Sequence, residues 1–119
     1  MAKFLIIATG NDLIRIATSK VVYLSSDGNY STLVQSDGEV RLLTYQLGQI
    51  ERMLANQLNG DEDTFIRIGK CLIINRHYIY YINVSKQQLI LSDNNGAKLT
   101  VTASREALKQ LKENIEKEG

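Results

Sequence analysis

Residues 65–79, with the sequence FIRIGKCLIINRHYI, constrain the fold more than any other stretch of the chain. The stretch is rich in β-branched residues, alternates at its start, and is apolar from Cys71 to Ile74. Short runs of this kind favour a strand over a helix. The polar pair Gly69-Lys70 falls between the two apolar halves, so a loop or bulge there would turn Lys70 outward. We therefore predict a central strand that is interrupted by an exposed lysine.

Strand-like runs recur along most of the chain, which indicates a mainly β fold. Asp-Gly pairs at positions 27–28 and 37–38 separate three of these runs. Asp-Gly turns between such runs are typical of hairpins, so the three runs are predicted to form an antiparallel meander. Outside the central stretch, strands are predicted over residues 4–8, 13–17, 21–24, 30–35, 40–44, 78–84, 88–91 and 98–102.

Two segments have the periodicity of a helix instead. Apolar residues at three- and four-residue steps predict an inserted helix over about residues 45–58 and a C-terminal helix over about residues 104–117. Thr44 and Ser104 are suitable N-cap residues, and Asn59-Gly60 is a suitable end for the first helix. Lysine and glutamate alternate on the exposed side of the second helix, which favours a solvated face over a DNA-binding surface.

The length and charge of the chain limit the possible functions. With 119 residues it is long enough for one domain, which we place at residues 1–119, and too short for a sensory domain joined to an output domain. The formal net charge is +1, so any affinity for DNA has to come from a local arrangement of Lys and Arg. No apolar run approaches the roughly 20 residues that span a bilayer, and no signal peptide is evident. A cytoplasmic protein without a membrane partner is expected.

The sequence offers little of the chemistry that an enzyme needs. Its one cysteine, Cys71, has apolar neighbours and is predicted to fill space in the core. The one histidine, His77, is predicted to be a surface or turn residue. The acidic residues 61–63 lack the spacing of a calcium loop and are interpreted as a solvated connector, and no glycine-rich phosphate loop is present. We therefore predict no catalytic residue, no bound metal and no cofactor.

Several separate blocks of the sequence together resemble one known family. The motif DGNYST at residues 27–32 follows VVYL at 21–24, an arginine-bearing segment at 41–43 comes next, and FIRI and LIIN follow the first predicted helix. In this order and spacing, the blocks are similar to the LytTR family of bacterial DNA-binding domains over roughly residues 14–108. The resemblance implies an elongated domain of stacked antiparallel sheets that inserts loops into successive major grooves. It also implies a transcriptional regulator, commonly the output domain of a two-component system and here a free-standing domain or a fragment.

The resemblance further implies that three loops contact DNA. By position these are the turn at residues 27–30, the break at 69–71 and the segment 102–105. Asn29 could pair with an adenine edge, Lys70 could reach guanine or phosphate, and Arg105 could do either. Each also has an ordinary structural role to consider: Asn29 a left-handed turn, Lys70 a solvated bulge, and Arg105 a pair with an acid on the terminal helix. The candidate DNA-binding residues are Asn29, Tyr30, Lys70, Thr102, Ser104 and Arg105.

Two differences from the usual family pattern leave a second function open. Gly69-Lys70-Cys71 stands where relatives usually have His-Arg-Ser, and Val101-Thr102-Ala103 stands where they usually have Val-Ser-Arg. The first hypothesis is a regulator whose partner is duplex DNA, bound as a homodimer on DNA repeats or together with a separate signalling protein. The alternative is a LytTR-like fold that serves as a protein-interaction or self-association module with weak or no DNA binding.

Overall fold

The computed structural model describes residues 3–58, 62–93 and 96–118. The described residues are mainly β, as predicted, with ten strands and two α-helices. Three short 3₁₀ turns, Thr18–Lys20, Glu62–Thr64 and Arg76–Tyr78, connect some of them. The strands are β1 (Phe4–Ala8), β2 (Leu13–Ala17), β3 (Val21–Asp27), β4 (Tyr30–Gln35), β5 (Val40–Leu43), β6 (Phe65–Ile68), β7 (Leu72–Asn75), β8 (Ile79–Asn83), β9 (Gln88–Ser92) and β10 (Lys98–Thr102), and the helices are α1 (Leu47–Gln57) and α2 (Arg105–Glu116).

The strands form three antiparallel sheets. The largest has five strands in the order β5-β4-β3-β7-β6, and the predicted antiparallel meander is confirmed as three of these five strands, β3, β4 and β5. The three-stranded sheet has the order β10-β9-β8, and β1 pairs with β2 in the smallest sheet. The predicted fold class of stacked antiparallel sheets with one inserted and one terminal helix is therefore confirmed.

The five-stranded sheet is the middle layer, because both of its faces are buried. One face packs against α1 and the β1-β2 hairpin, and the other packs against α2 and the three-stranded sheet. Ile73 belongs to the first core and Ile74 to the second, and both are almost completely buried. Successive side chains of a strand point to opposite faces, so a strand with two covered faces has a continuous apolar sequence. This explains the apolar run in the central stretch.

The central stretch itself is a hairpin and not the single interrupted strand that the sequence predicts. Strands β6 and β7 pair with each other in the register Phe65 to Asn75 and Ile68 to Leu72. The turn between them begins at Gly69, whose φ of +58° suits glycine. The prediction that Cys71 fills the core is wrong, because Cys71 belongs to this turn and is exposed. The buried apolar run starts one residue later, at Leu72.

The helix ends agree with the sequence at one position and differ at another. Ser104 is the N-cap of α2, where its Oγ accepts a hydrogen bond from the backbone N–H of Ala107, as predicted. The prediction of Thr44 as a cap is wrong, because α1 begins later and Gln46 and Gln49 form a reciprocal capping box at its start. The predicted helix end at Asn59-Gly60 lies outside the described residues.

Buried polar contacts hold the central hairpin in place. Asn75, which is 0% exposed, donates from Nδ2 to the carbonyl of Val21 at 2.9 Å and to that of Thr18 at 3.3 Å. Its Oδ1 accepts from the backbone N–H of His77 at 3.0 Å. His77 is exposed in a 3₁₀ turn, as predicted. Asn75 thus joins the end of β7 to the start of β3.

In the part of the chain that the structure describes, no helix is long and apolar enough to cross a membrane.

Candidate nucleic-acid interface

The first candidate loop is the tight turn between β3 and β4. Asp27 and Tyr30 are paired across it, and Gly28 takes the left-handed conformation with a φ of +65°. Asn29 has no positive φ, so the left-handed role considered for it falls to Gly28. The Oδ1 of Asn29 lies 3.4 Å from Nε2 of Gln46, which caps α1. Asn29 is exposed, and Tyr30 is 46% exposed, so both side chains are accessible to a ligand.

The second candidate loop lies beside the first at the same end of the five-stranded sheet. Strands β3 and β7 pair in the register Ser25 to Leu72, which brings their connecting turns together. The backbone N–H of Ser26 donates to the carbonyl of Cys71 at 2.8 Å. A direct hydrogen bond therefore joins the end of β3, just before the first turn, to the second turn.

Lys70 is at the tip of the second turn. It is exposed, and within the described residues its ammonium makes no hydrogen bond or ion pair. Its backbone carbonyl accepts a hydrogen bond from Nη2 of Arg67 at 3.2 Å, and Nη1 of Arg67 lies 2.6 Å from Oε1 of Glu51 on α1. The turn is thus fixed through its backbone while the lysine side chain is available. Sequence reasoning assigned Arg67 only to a strand face, and nothing in its spacing points to Glu51.

The third candidate loop precedes α2 and lies against the second turn. A Cβ atom placed on Gly69 would be 3.8 Å from Cβ of Ala107, in the first turn of α2. Ser104 is exposed, but its hydroxyl already accepts the N-cap hydrogen bond from Ala107. Thr102 is exposed at the end of β10. The structure therefore brings the start of α2 next to the turn that carries Lys70.

Arg105 connects this segment to a further turn, between β8 and β9. Its Nη2 lies 3.4 Å from the carbonyl oxygen of Ser85. Among the described residues Arg105 has no ion-pair partner, so it does not make the pair with a helix acid considered from the sequence. Gln87 and Ala103 exchange two longer hydrogen bonds beside it. Lys86, which is exposed in the same turn, was not selected from the sequence. The sequence signal that could have identified Lys86 is its place in a polar turn between two predicted strands.

We call the four segments 27–30, 69–71, 102–105 and 84–87 the loop row, because in this order each contacts the next, directly or through residues beside it. The loop row contains the cations Lys70, Lys86 and Arg105 and a single anion, Asp27. The whole chain has a formal charge of only +1, so positive charge is locally concentrated here. All four charged residues are exposed. An exposed cationic row with amide and hydroxyl groups can contact both phosphates and base edges.

The stacked sheets and the loop row belong to a recognisable class of small β-rich domains. The family model for the LytTr DNA-binding domain matches residues 11–116. The chain belongs to this LytTR family of DNA-binding domains.

A similar solved structure is the LytTr DNA-binding domain of a protein described as a methyl-accepting/DNA response regulator from Bacillus cereus. The TM-score is 0.62 with 21% sequence identity, over 93% of this chain and 94% of that chain, so this similarity supports the fold. A comparison with curated proteins gives no significant match.

Proposed function

We propose that this domain binds duplex DNA in a sequence-specific manner and acts as a bacterial transcriptional regulator in the cytoplasm. The observation that carries the proposal is the loop row, with its local excess of cations, in a chain that belongs to a DNA-binding family. The loops enter successive major grooves, where the hydrogen-bonding patterns of all four base pairs differ. The solved structure from Bacillus cereus is described as part of a response regulator, which supports a regulatory role of the same kind.

The side chains of the loop row differ in how readily they can contact DNA. Lys70 has no partner to lose within the described residues, so it reaches guanine or a phosphate without breaking an ion pair. Arg105 loses one long hydrogen bond, to Ser85. Asn29 loses one long hydrogen bond, from Gln46, and then has both the Oδ1 and the Nδ2 of its side-chain amide available for an adenine edge. These three residues are the proposed base or phosphate contacts.

Three further candidates have supporting roles in this proposal. Tyr30 follows Asn29 and is half-exposed, so its hydroxyl can donate to a phosphate. Thr102 offers a hydroxyl at the end of β10. Ser104 holds the start of α2 through its N-cap hydrogen bond, which positions Arg105 beside it. We assign Ser104 to positioning more than to direct contact.

Selection of bound sequences from a random duplex pool at physiological salt tests this proposal. We expect enrichment of two short repeats about one helical turn, roughly 10 base pairs, apart, since two contacts on one face of DNA require that spacing. A pool that is retained at low salt but shows no enriched sequence would reduce the function to nonspecific phosphate binding. A pool that is not retained at all would contradict DNA binding.

A further inference from the structure

Strand β5 forms a free edge of the five-stranded sheet. The backbone N–H of Gln35 donates to the carbonyl of Glu39, which identifies these two residues as a hydrogen-bonded pair. Hydrogen-bonded and non-hydrogen-bonded pairs alternate along an antiparallel ladder. The peptide groups of Val40 and Leu42, whose partners on β4 are Val34 and Thr32, therefore point away from the sheet.

Two of the four side chains of β5 are apolar and exposed. Val40 is 58% and Leu42 62% exposed. Proteins usually protect a free edge with a very short strand, a charged side chain, a proline, a bulge or a covering segment, because an unprotected edge pairs with another strand. Strand β5 has only four residues, but it has no proline or bulge, and Glu39 balances the charge of its one charged residue, Arg41. By contrast, the free side of β1 is covered, since the amide of Gln57 exchanges two hydrogen bonds with the backbone of Ile6.

We propose that β5 pairs with β5 of a second copy of this chain, antiparallel and with the two-fold axis at Val40. The outward-pointing peptide groups have to face each other, which leaves an axis at Val40, Arg41 or Leu42. An axis at Arg41 places two arginines directly opposite each other, which is unfavourable. An axis at Leu42 places Arg41 opposite the partner's Leu43.

Charge complementarity selects the axis at Val40. In that register Arg41 lies opposite the partner's Glu39, and Glu39 lies opposite the partner's Arg41. Within one chain these two residues already form an ion pair, with Nη2 of Arg41 2.8 Å from Oε1 of Glu39. The dimer joins two such pairs into a network of four alternating charges. Val40 exchanges two backbone hydrogen bonds with its own copy, and the exposed Leu42 loses water contact beside it.

The pairing also determines where the two loop rows lie. Strand β5 runs towards the loop row, since Leu43 pairs with Ser31 next to the turn at 27–30. Antiparallel pairing reverses this direction in the second copy, so the two loop rows lie at opposite ends of a ten-stranded sheet. If the loop row binds DNA, as proposed above, this dimer presents its two binding surfaces to separate DNA segments and not to one face of a single straight duplex.

We expect this association to be weak. A four-residue edge buries less surface than the roughly 1,200 Å² at the lower limit of stable interfaces. A dissociation constant on the order of 0.1 to 1 mM fits an interface of this size. At such an affinity the dimer forms mainly where the local concentration is high.

Charge reversal tests the interface and its register without using DNA, so a failure here is separate from a failure of DNA binding. Sedimentation equilibrium from about 10 µM to about 1 mM covers the expected range for the wild-type chain. Glu39→Arg and Arg41→Glu each place like charges opposite each other twice, and each should weaken self-association about tenfold or more. A mixture of the two variants should restore association, because every facing pair is then opposite in sign. The double variant Glu39→Arg/Arg41→Glu should also associate like the wild type.

Glu113→Arg is the matched control, since it makes the same charge change at an exposed position on α2. Its association should equal that of the wild type, and circular dichroism should show that every variant is folded. The proposal is overturned if the wild type stays monomeric up to about 1 mM. It is also overturned if Glu39→Arg dimerises like the wild type, because the interface then lies elsewhere, or if mixing the two single variants restores nothing.

Discussion

The guanidinium of Arg67 joins the turn that carries Lys70 to helix α1. Its Nη1 lies 2.6 Å from Oε1 of Glu51, and its Nη2 donates to the carbonyl oxygen of Lys70 at 3.2 Å. Strand β6, which contains Arg67, also packs against α2. The side chain of Arg67 therefore links a candidate DNA-contacting turn to the neighbouring helix α1 and restrains its position.

Glu51→Gln should loosen this turn without unfolding the protein. The pair is partly exposed, and such pairs contribute roughly 0 to 1 kcal/mol, so the free energy of unfolding should change little. Without the ion pair Arg67 holds the carbonyl of Lys70 less firmly, and affinity for a selected duplex should fall about two- to fivefold. Fluorescence anisotropy measures the affinity, and amide hydrogen exchange at residues 69–71 measures the loosening. Glu113→Gln is the control. If amide exchange at residues 69–71 were equally fast in Glu51→Gln and Glu113→Gln, the ion pair of Glu51 with Arg67 would not restrain the turn.

Lys70→Ala should reduce DNA affinity by about fivefold or more while the fold is retained, because an unpaired exposed lysine contributes mainly to binding. A contact to phosphate predicts that the slope of log affinity against log salt becomes shallower by about 0.9. A contact to guanine instead predicts weaker discrimination at one base pair.

Lys109→Ala is the control for this substitution, because Lys109 is exposed on α2 outside the loop row. The measurement is fluorescence anisotropy at several salt concentrations. Unchanged affinity together with an unchanged salt slope would remove Lys70 from the contacts.

Asn75→Ala should destabilise the fold strongly. The substitution leaves the carbonyl of Val21 without this partner in a buried place, and the carbonyl of Thr18 and the N–H of His77 without it in partly buried places. Loss of one buried and two partly buried hydrogen bonds is expected to lower the free energy of unfolding by about 2 to 4 kcal/mol. Urea denaturation measures the change. Asn114→Ala, at an exposed helix position, is the control and should change the free energy of unfolding by less than about 0.5 kcal/mol. A similarly small effect of Asn75→Ala would contradict the prediction and show that water replaces the lost amide.

The sequence predicts those parts of the fold that depend on local periodicity. Strands β1, β2, β4 and β10 have the predicted bounds, because apolar alternation and flanking turn residues act within a few positions. The N-cap at Ser104 is predicted for the same reason. The family resemblance supplies the stacking of the sheets, which local patterns do not contain.

What the sequence does not predict depends on contacts between distant residues. Cys71 lies in an apolar run, and only the pairing of Ile68 with Leu72 shows that it belongs to a turn. Thr44 is a good cap by residue type, but the capping box of Gln46 and Gln49 starts α1 later. Arg67 and Glu51 are 16 positions apart and belong to different elements, so their contact has no local signal in the sequence.

Cys71 provides a direct probe of the loop row, because it is exposed and is the only cysteine in the chain. Since an exposed thiol needs no unfolding to react, Ellman's reagent should label the native protein at nearly the rate seen in denaturant. If the loop row binds DNA, a saturating selected duplex should slow this labelling about tenfold or more, as the neighbouring Lys70 becomes covered. A duplex of scrambled sequence at the same concentration is the control. Slow labelling of the free native protein would contradict the exposure of the thiol and show that it is buried. Fast labelling in the saturated complex would show that DNA does not cover the turn at 69–71.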